Sequence, residues 1–167
     1  MKNIKLKVTA LFIGLFISTS FISCDEGGDP DPGGTTTEKF AGDWFITLTD
    51  SDGEVLVENI PHSTYNTAAN DNTLWIDDHE NGYYLKSKVT LDLSNGTFSS
   101  VVDTPNLLDA PTTVTITEGQ IIKNGGVSRG GHTVDAIRFV AHFSYDPDGY
   151  NVIYTGHKRT GFLEDEY

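Results

Sequence analysis

From residue 38 onward alternation of apolar and polar residues is common, and no stretch keeps a 3.6-residue apolar period over three turns. Such a pattern folds as strands that bury one face, so helical bundles and βαβ architectures are excluded for this part. In Tyr83 to Leu93, residues Tyr83, Leu85, Val89, Leu91 and Leu93 share one face, while Lys86, Lys88, Thr90 and Asp92 share the other. Thr133 to Tyr145 likewise sets Ile137, Phe139, Ala141 and Phe143 on one side. Phe40 to Thr49, Glu54 to Ile60, Thr73 to Ile76, Thr97 to Val102 and Tyr150 to Arg159 read as further strands. Thr112 to Thr117 and Gln120 to Lys123 flank Glu118-Gly119, which reads as a tight hairpin turn. Asn95-Gly96 closes another hairpin, and Asp50 to Gly53 and Asp146 to Gly149 are turn signals. Pro61 to Asn72 reads as a loop or lid, and Asn124 to Gly131 as a mobile glycine-rich loop at a rim. Residues 39–167 thus hold about eight antiparallel strands, a number that closes into a small barrel able to take one small ligand.

The start of the chain is an address. Lys2, Lys5 and Lys7 precede an apolar run from Val8 to Ile17, too short to span a bilayer as a helix. Residues 1–23 read as a secretory signal peptide. Cys24, the one cysteine, follows Ser23, where a bacterial lipoprotein signal is cut and its cysteine lipidated. A lone cysteine also excludes an intramolecular disulfide, a cysteine-based zinc site and a cysteine redox pair. Residues 24–38 read as the lipidated cysteine and a flexible acidic Gly/Pro/Thr tether. The expected location is the outer membrane, lipid-anchored, on the cell surface or the periplasmic face.

Charge narrows the partners. The full chain carries −13, and removing residues 1–23 takes away three lysines and no acid, leaving −16. So acidic a body is a poor ligand for phosphate backbones, and no nucleic acid partner is expected. It is also repelled by an anionic lipid surface, which suits a solvated domain held off the membrane by its tether.

Gly42-Asp43-Trp44 opens the first strand and resembles the Gly-x-Trp of calycins, the lipocalin-like barrels. That resemblance implies a Trp packed across a closed barrel end beneath a basic residue of the last strand, Arg159 or Lys158. Gly42, Trp44 and Arg159 are accordingly the expected barrel-end residues. Three further segments, Tyr65 to Asn70, Leu74 to Asp78 and His157 to Asp165, are similar in order to a family of Bacteroidota lipoproteins called "lipid-binding putative hydrolase". The resemblance implies a calycin-like barrel and a lipid-like ligand, and it brings no catalytic residues.

Catalytic chemistry has little to build on. The Gly-x-Ser-x-Gly elbow of α/β hydrolases is absent. A Ser-His-Asp set assembled from distant positions stays open, because triads are defined by geometry. His142 and His157 fall on strands and read as outward or polar interior residues, outside any catalytic role. Asp77-Asp78-His79-Glu80 is the densest acidic cluster, and consecutive residues rarely converge on one ion. The Asp-x-Asp-Gly turns fit hairpin chemistry better than calcium loops. No metal or cofactor is expected.

The expected function is binding of a small apolar or lipid-like ligand inside the barrel. Leu85, Val89, Leu91, Ile137, Phe139 and Phe143 are the candidate wall, and Trp75 lies near the long second loop. The alternative is a fully packed barrel serving as a non-catalytic accessory subunit of an outer-membrane uptake or assembly complex. Large inward residues at every layer would favour it. A hydrolase is the third reading. In the tail, Phe162 is expected to pack against the barrel end.

Overall fold

The computed structural model describes residues 33–146 and 149–167. The signal sequence, Cys24 and most of the tether therefore lie outside the described residues. One compact unit spans Thr35–Tyr167. Its strands are β1 (Gly42–Thr49), β2 (Val55–Asn66), β3 (Thr73–Asp77), β4 (Lys86–Leu91), β5 (Thr97–Ser99), β6 (Thr104–Pro105), β7 (Thr113–Val127), β8 (Thr133–Phe143) and β9 (Asn151–Lys158). They pair in the order β5-β4-β3-β2-β1-β9-β8-β7-β6, all antiparallel. An added β5–β7 pairing closes eight of them into a ring, and β6 sits outside it against β7. This is the eight-stranded antiparallel barrel that the alternation predicts.

Closure depends on one bend. β7 shifts register between Thr117 and Gln120, where Glu118 takes φ 51°. Such a bulge curves a strand and re-aims its edge. There β5 joins, through Thr97↔Gln120 and Phe98↔Gly119 alone. A Cβ on Gly119 would stand 2.2 Å from the Phe98 ring and 2.5 Å from the Phe98 carbonyl oxygen. Gly119→Val is therefore expected to cost about 1–3 kcal/mol by overpacking the seam. Urea unfolding checks this, and an unchanged midpoint would contradict it.

Several expectations are corrected here. Pro61 to Asn66 is not loop: it continues β2, with Phe45↔Pro61, Trp44↔His62 and Asn66↔Leu74 in register. Pro61 is tolerated because the β2–β3 pairs begin only at Ser63, so β2 has one neighbour at that point. Glu118-Gly119 is a bulge inside β7, not a hairpin turn. Asn124 to Val127 is strand, paired with β8 through Gly126↔Val134 and Val127↔Thr133, and only the tip beyond it turns. Tyr83 and Tyr84 lie in the β3–β4 loop, outside β4, and Leu93 is exposed. Val101 and Val102 fall beyond β5 and are exposed.

The tail also differs. Phe162 stays exposed, its ring beside His132 at 5.4 Å. What anchors the tail is Asp165, fully buried, which accepts hydrogen bonds from Gly130 N–H and from Thr160 Oγ1. Arg159 holds Glu166 through two bonds of 2.7 and 2.6 Å, and Tyr167 packs edge-on against Phe45. Phe45 alternates with the inward Trp44 and Ile46, so the tail covers the outer wall instead of a barrel end.

Candidate functional site

The even-numbered residues of β1 point inward: Trp44, Ile46 and Leu48 are buried together with Leu74, Ile76, Leu85, Val89, Leu91, Ile137, Phe139 and Phe143 in one cluster. Phe139 stacks on Tyr154 at 4.4 Å between ring centres and lies 5.9 Å from Phe98. All six strand and loop residues expected to wall a ligand are therefore inside the barrel, and each is 2% exposed or less. They belong to that one packed cluster. Trp75 is elsewhere. It alternates with the buried Leu74 and Ile76 and sits half-buried on the outer wall, opposite Tyr65 and Lys88.

One end of the barrel is sealed. Trp44 donates its Nε1–H to Thr64 Oγ1 at 2.9 Å, and Thr64 in turn donates to the Phe40 carbonyl at 2.8 Å. A 3-10 turn, Glu38–Phe40, brings Phe40 against the core there. Lys158, not Arg159, takes the place over Trp44, with Nζ 5.8 Å from the ring and 2.9 Å from the Ala41 carbonyl oxygen. Arg159 faces the other way, over Phe45. Gly42 leaves room for this lysine, since a Cβ would come within 2.5 Å of Lys158 Cε. Beside this end, Phe40, Ile121 and Ile122 floor a cleft of about 590 Å³ rimmed by Lys39, Lys123 and Lys158.

The opposite end is a mouth. Tyr83, Phe143, Tyr145, Asp146, Tyr150 and Val152 line a cavity of about 170 Å³. Phe143 is sandwiched between Tyr83 at 5.8 Å and Tyr145 at 5.3 Å. Such rings present an apolar body and a polar tip, which suits a wet opening over an apolar interior. The β3–β4 loop carries Tyr83 and Leu85 over this mouth. Its hub is Asp78, whose N–H donates to the Leu85 carbonyl at 2.8 Å and whose Oδ1 accepts from Glu80 N–H at 3.0 Å. His79, Glu80 and Tyr84 all have left-handed φ, between 52° and 64°. For side chains other than glycine this conformation costs roughly 1–2 kcal/mol each, so the loop is held at a cost.

Between the two ends the interior holds polar groups. Asp78, Tyr154 and His62 are all buried. Burial pushes the Asp78 acid up, with Asp77 adding to the shift. Burial also raises Tyr154 well above the ordinary tyrosine value. His62 is lowered to about 4, mainly by burial, against the Ile60 carbonyl that its Nδ1 faces at 3.2 Å. The sequence shows Asp78 only as part of an acidic cluster and gives His62 and Tyr154 no role. The period of two could have found them, because His62 pairs with Trp44 and Tyr154 with Leu48, both inward.

On the outer wall Ser63 Oγ lies 2.7 Å from His79 Nε2, and His79 Nδ1 lies 3.6 Å from Asp77 Oδ1. The residue types and order are those of a hydrolytic triad. The surroundings are not. Ser63 donates to Asp43 Oδ1 at 2.7 Å, so its proton has a carboxylate acceptor other than the imidazole. Asp77 is committed to Lys86 and to the Tyr65 hydroxyl, both at 2.7 Å. His79 is half exposed, and none of the three cavities just described or noted below includes Ser63 or His79. Asp50 likewise spends its carboxylate within its own turn, on the N–H groups of Asp52 and Glu54. The third cavity is an open groove of about 1000 Å³ along β4, β5 and β7, lined by Leu91, Leu93 and Phe98 together with the Arg138–Glu118 ion pair.

A closed antiparallel barrel with an apolar interior, a tryptophan-sealed end and an aromatic mouth defines the class. Residues 29–163 match the family described as "lipid-binding putative hydrolase", and the chain belongs to it. No curated protein matches the chain.

Proposed function

We propose that the protein is a lipid-anchored envelope lipoprotein whose barrel takes a small lipid-like amphiphile at the aromatic mouth. Membership of a lipid-binding family gives the ligand class. The carrying observation is the mouth, where Tyr83, Phe143, Tyr145 and Tyr150 surround a cavity leading towards the apolar interior at the end away from Trp44. Its volume suits one end of a ligand. Deeper entry requires Tyr83 and Leu85 to move with the strained β3–β4 loop, which makes that loop the gate. The anchor is read from the sequence alone: a signal at 1–23, acylation of Cys24 and an acidic tether, with an outer-membrane location at the surface or periplasmic face.

The filled interior supports a second reading, a packed barrel that serves an outer-membrane complex as a non-catalytic subunit. An uncharged fluorophore, N-phenylnaphthylamine, separates the two. Its emission is expected to rise on adding the full chain, with about tenfold weaker binding to Tyr145→Glu. Tyr145 is exposed at the rim, so the substitution leaves the core intact. No enhancement, or equal binding by both proteins, would support the packed reading.

A further inference from the structure

Three polar atoms deep in the barrel have no hydrogen-bond partner: Nε2 of His62, Oδ2 of Asp78 and the hydroxyl of Tyr154. Tyr154 is the neighbour that His62 and Asp78 share. Tyr154 is the partner of Leu48 across β1 and β9. The His62 ring meets Tyr154 edge-on at 5.7 Å. Asp78 follows directly on the Ser63↔Asp77 pair, which brings it abreast of His62. A Cβ built on Gly82 would touch Asp78 Oδ2 at 3.1 Å, Ile60 Cδ1 at 3.0 Å and Leu48 Cδ2 at 3.4 Å, so apolar side chains stand close to that oxygen, while the backbone N–H groups of Leu85, Glu80 and Gly82 face the carboxylate. A buried polar atom left unpaired is unfavourable, and a barrel built only to be packed would be more stable with leucine or phenylalanine at these places.

We propose that His62, Asp78 and Tyr154 form a hydrogen-bonding subsite for the hydroxyl group of a neutral lipid such as a long-chain alcohol. The proposal rests on the reading that the barrel takes a lipid at its mouth. The donor and acceptor set fits a hydroxyl. His62 Nδ1 faces the Ile60 carbonyl at 3.2 Å and carries the proton, so Nε2 is left as an acceptor. Tyr154 can donate, and a hydroxyl is both donor and acceptor. A carboxylate or phosphate does not fit. Among the described residues no lysine or arginine is buried, so an anionic head would sit in the interior without a counter-charge. The depressed pKa of His62 keeps it neutral as well.

Equilibrium dialysis of the full chain near neutral pH with radiolabelled hexadecanol and hexadecanoate tests the subsite. The wild type is expected to bind the alcohol at least about tenfold more tightly than the acid. Tyr154→Phe removes only an unpaired hydroxyl, so the fold is retained, and alcohol binding is expected to weaken about five- to tenfold. Hexadecanoate bound as tightly as hexadecanol, or hexadecanol bound equally by Tyr154→Phe, would overturn the subsite while leaving the lipid-binding reading intact. Failure of both amphiphiles to bind would overturn the two together.

Discussion

Phe139→Ala is expected to lower the unfolding free energy by about 3–5 kcal/mol, read as a shifted urea midpoint with unchanged slope. Phe139 is fully buried at the centre of β8, between the rings of Tyr154 and Phe98. Its loss removes a large apolar surface from contact and leaves a void that strands fixed in a closed ring can collapse around only partly. Tyr154 would lose its stacking partner, and Phe98 would lose support at the two-pair seam where the barrel closes. The void has a second readout. It should take up a small apolar molecule such as benzene, as engineered apolar cavities do. A loss below about 1 kcal/mol would mean that the interior is not packed as described.

The second large effect belongs to His62. Its folded-state pKa of about 4 lies below the ordinary 6.5, because burial penalises the imidazolium. Between those values the unfolded chain binds a proton that the folded chain does not. The stability tied to His62 is therefore intact above pH 6.5 and is lost as pH falls towards 4. The shift corresponds to about 3 kcal/mol over that window. Asp78 works in the opposite sense: its raised pKa means that protonation on acidification favours the folded state. Comparing the wild type with His62→Leu across pH isolates the histidine. The variant is expected to lose about 3 kcal/mol less between pH 7.5 and 4. Parallel pH profiles would show that His62 titrates as if exposed.

Where inward residues are apolar, the strands can be read from the sequence. β4 sets Val89 and Leu91 about Thr90, β8 sets Ile137 and Phe139 about Arg138, and β9 sets Val152 and Tyr154 two positions apart, and the structure places each of these six inside. The second half of β2 is different. Its inward positions are His62 and Thr64 and it begins with Pro61, so its pattern is that of a loop although its pairing is complete. Glu118-Gly119 misleads for another reason. A tight turn and a bulge both need residues tolerant of positive φ, and only pairing partners distinguish them.

The site was legible to the same extent. The inward apolar residues followed from alternation, whereas His62 and Tyr154 did not, because polar residues on a strand read as solvent-facing, and Asp78 lies in the loop after β3. Parity along β9 settles which basic residue covers Trp44. Val152 and Tyr154 are inward, so Lys158 shares their side and Arg159 the other. Asp77 and Asp78 hold the end of β3, since each accepts a backbone N–H of the loop that follows.

The central claim is that this barrel carries a lipid through its mouth. Native mass spectrometry of the full chain, purified gently from its own host, tests it most directly. The account predicts a complex with one added lipid-sized mass, absent from Tyr145→Glu prepared in the same way. A chain that is bare in both preparations, and stays bare after incubation with total host lipid, would contradict it.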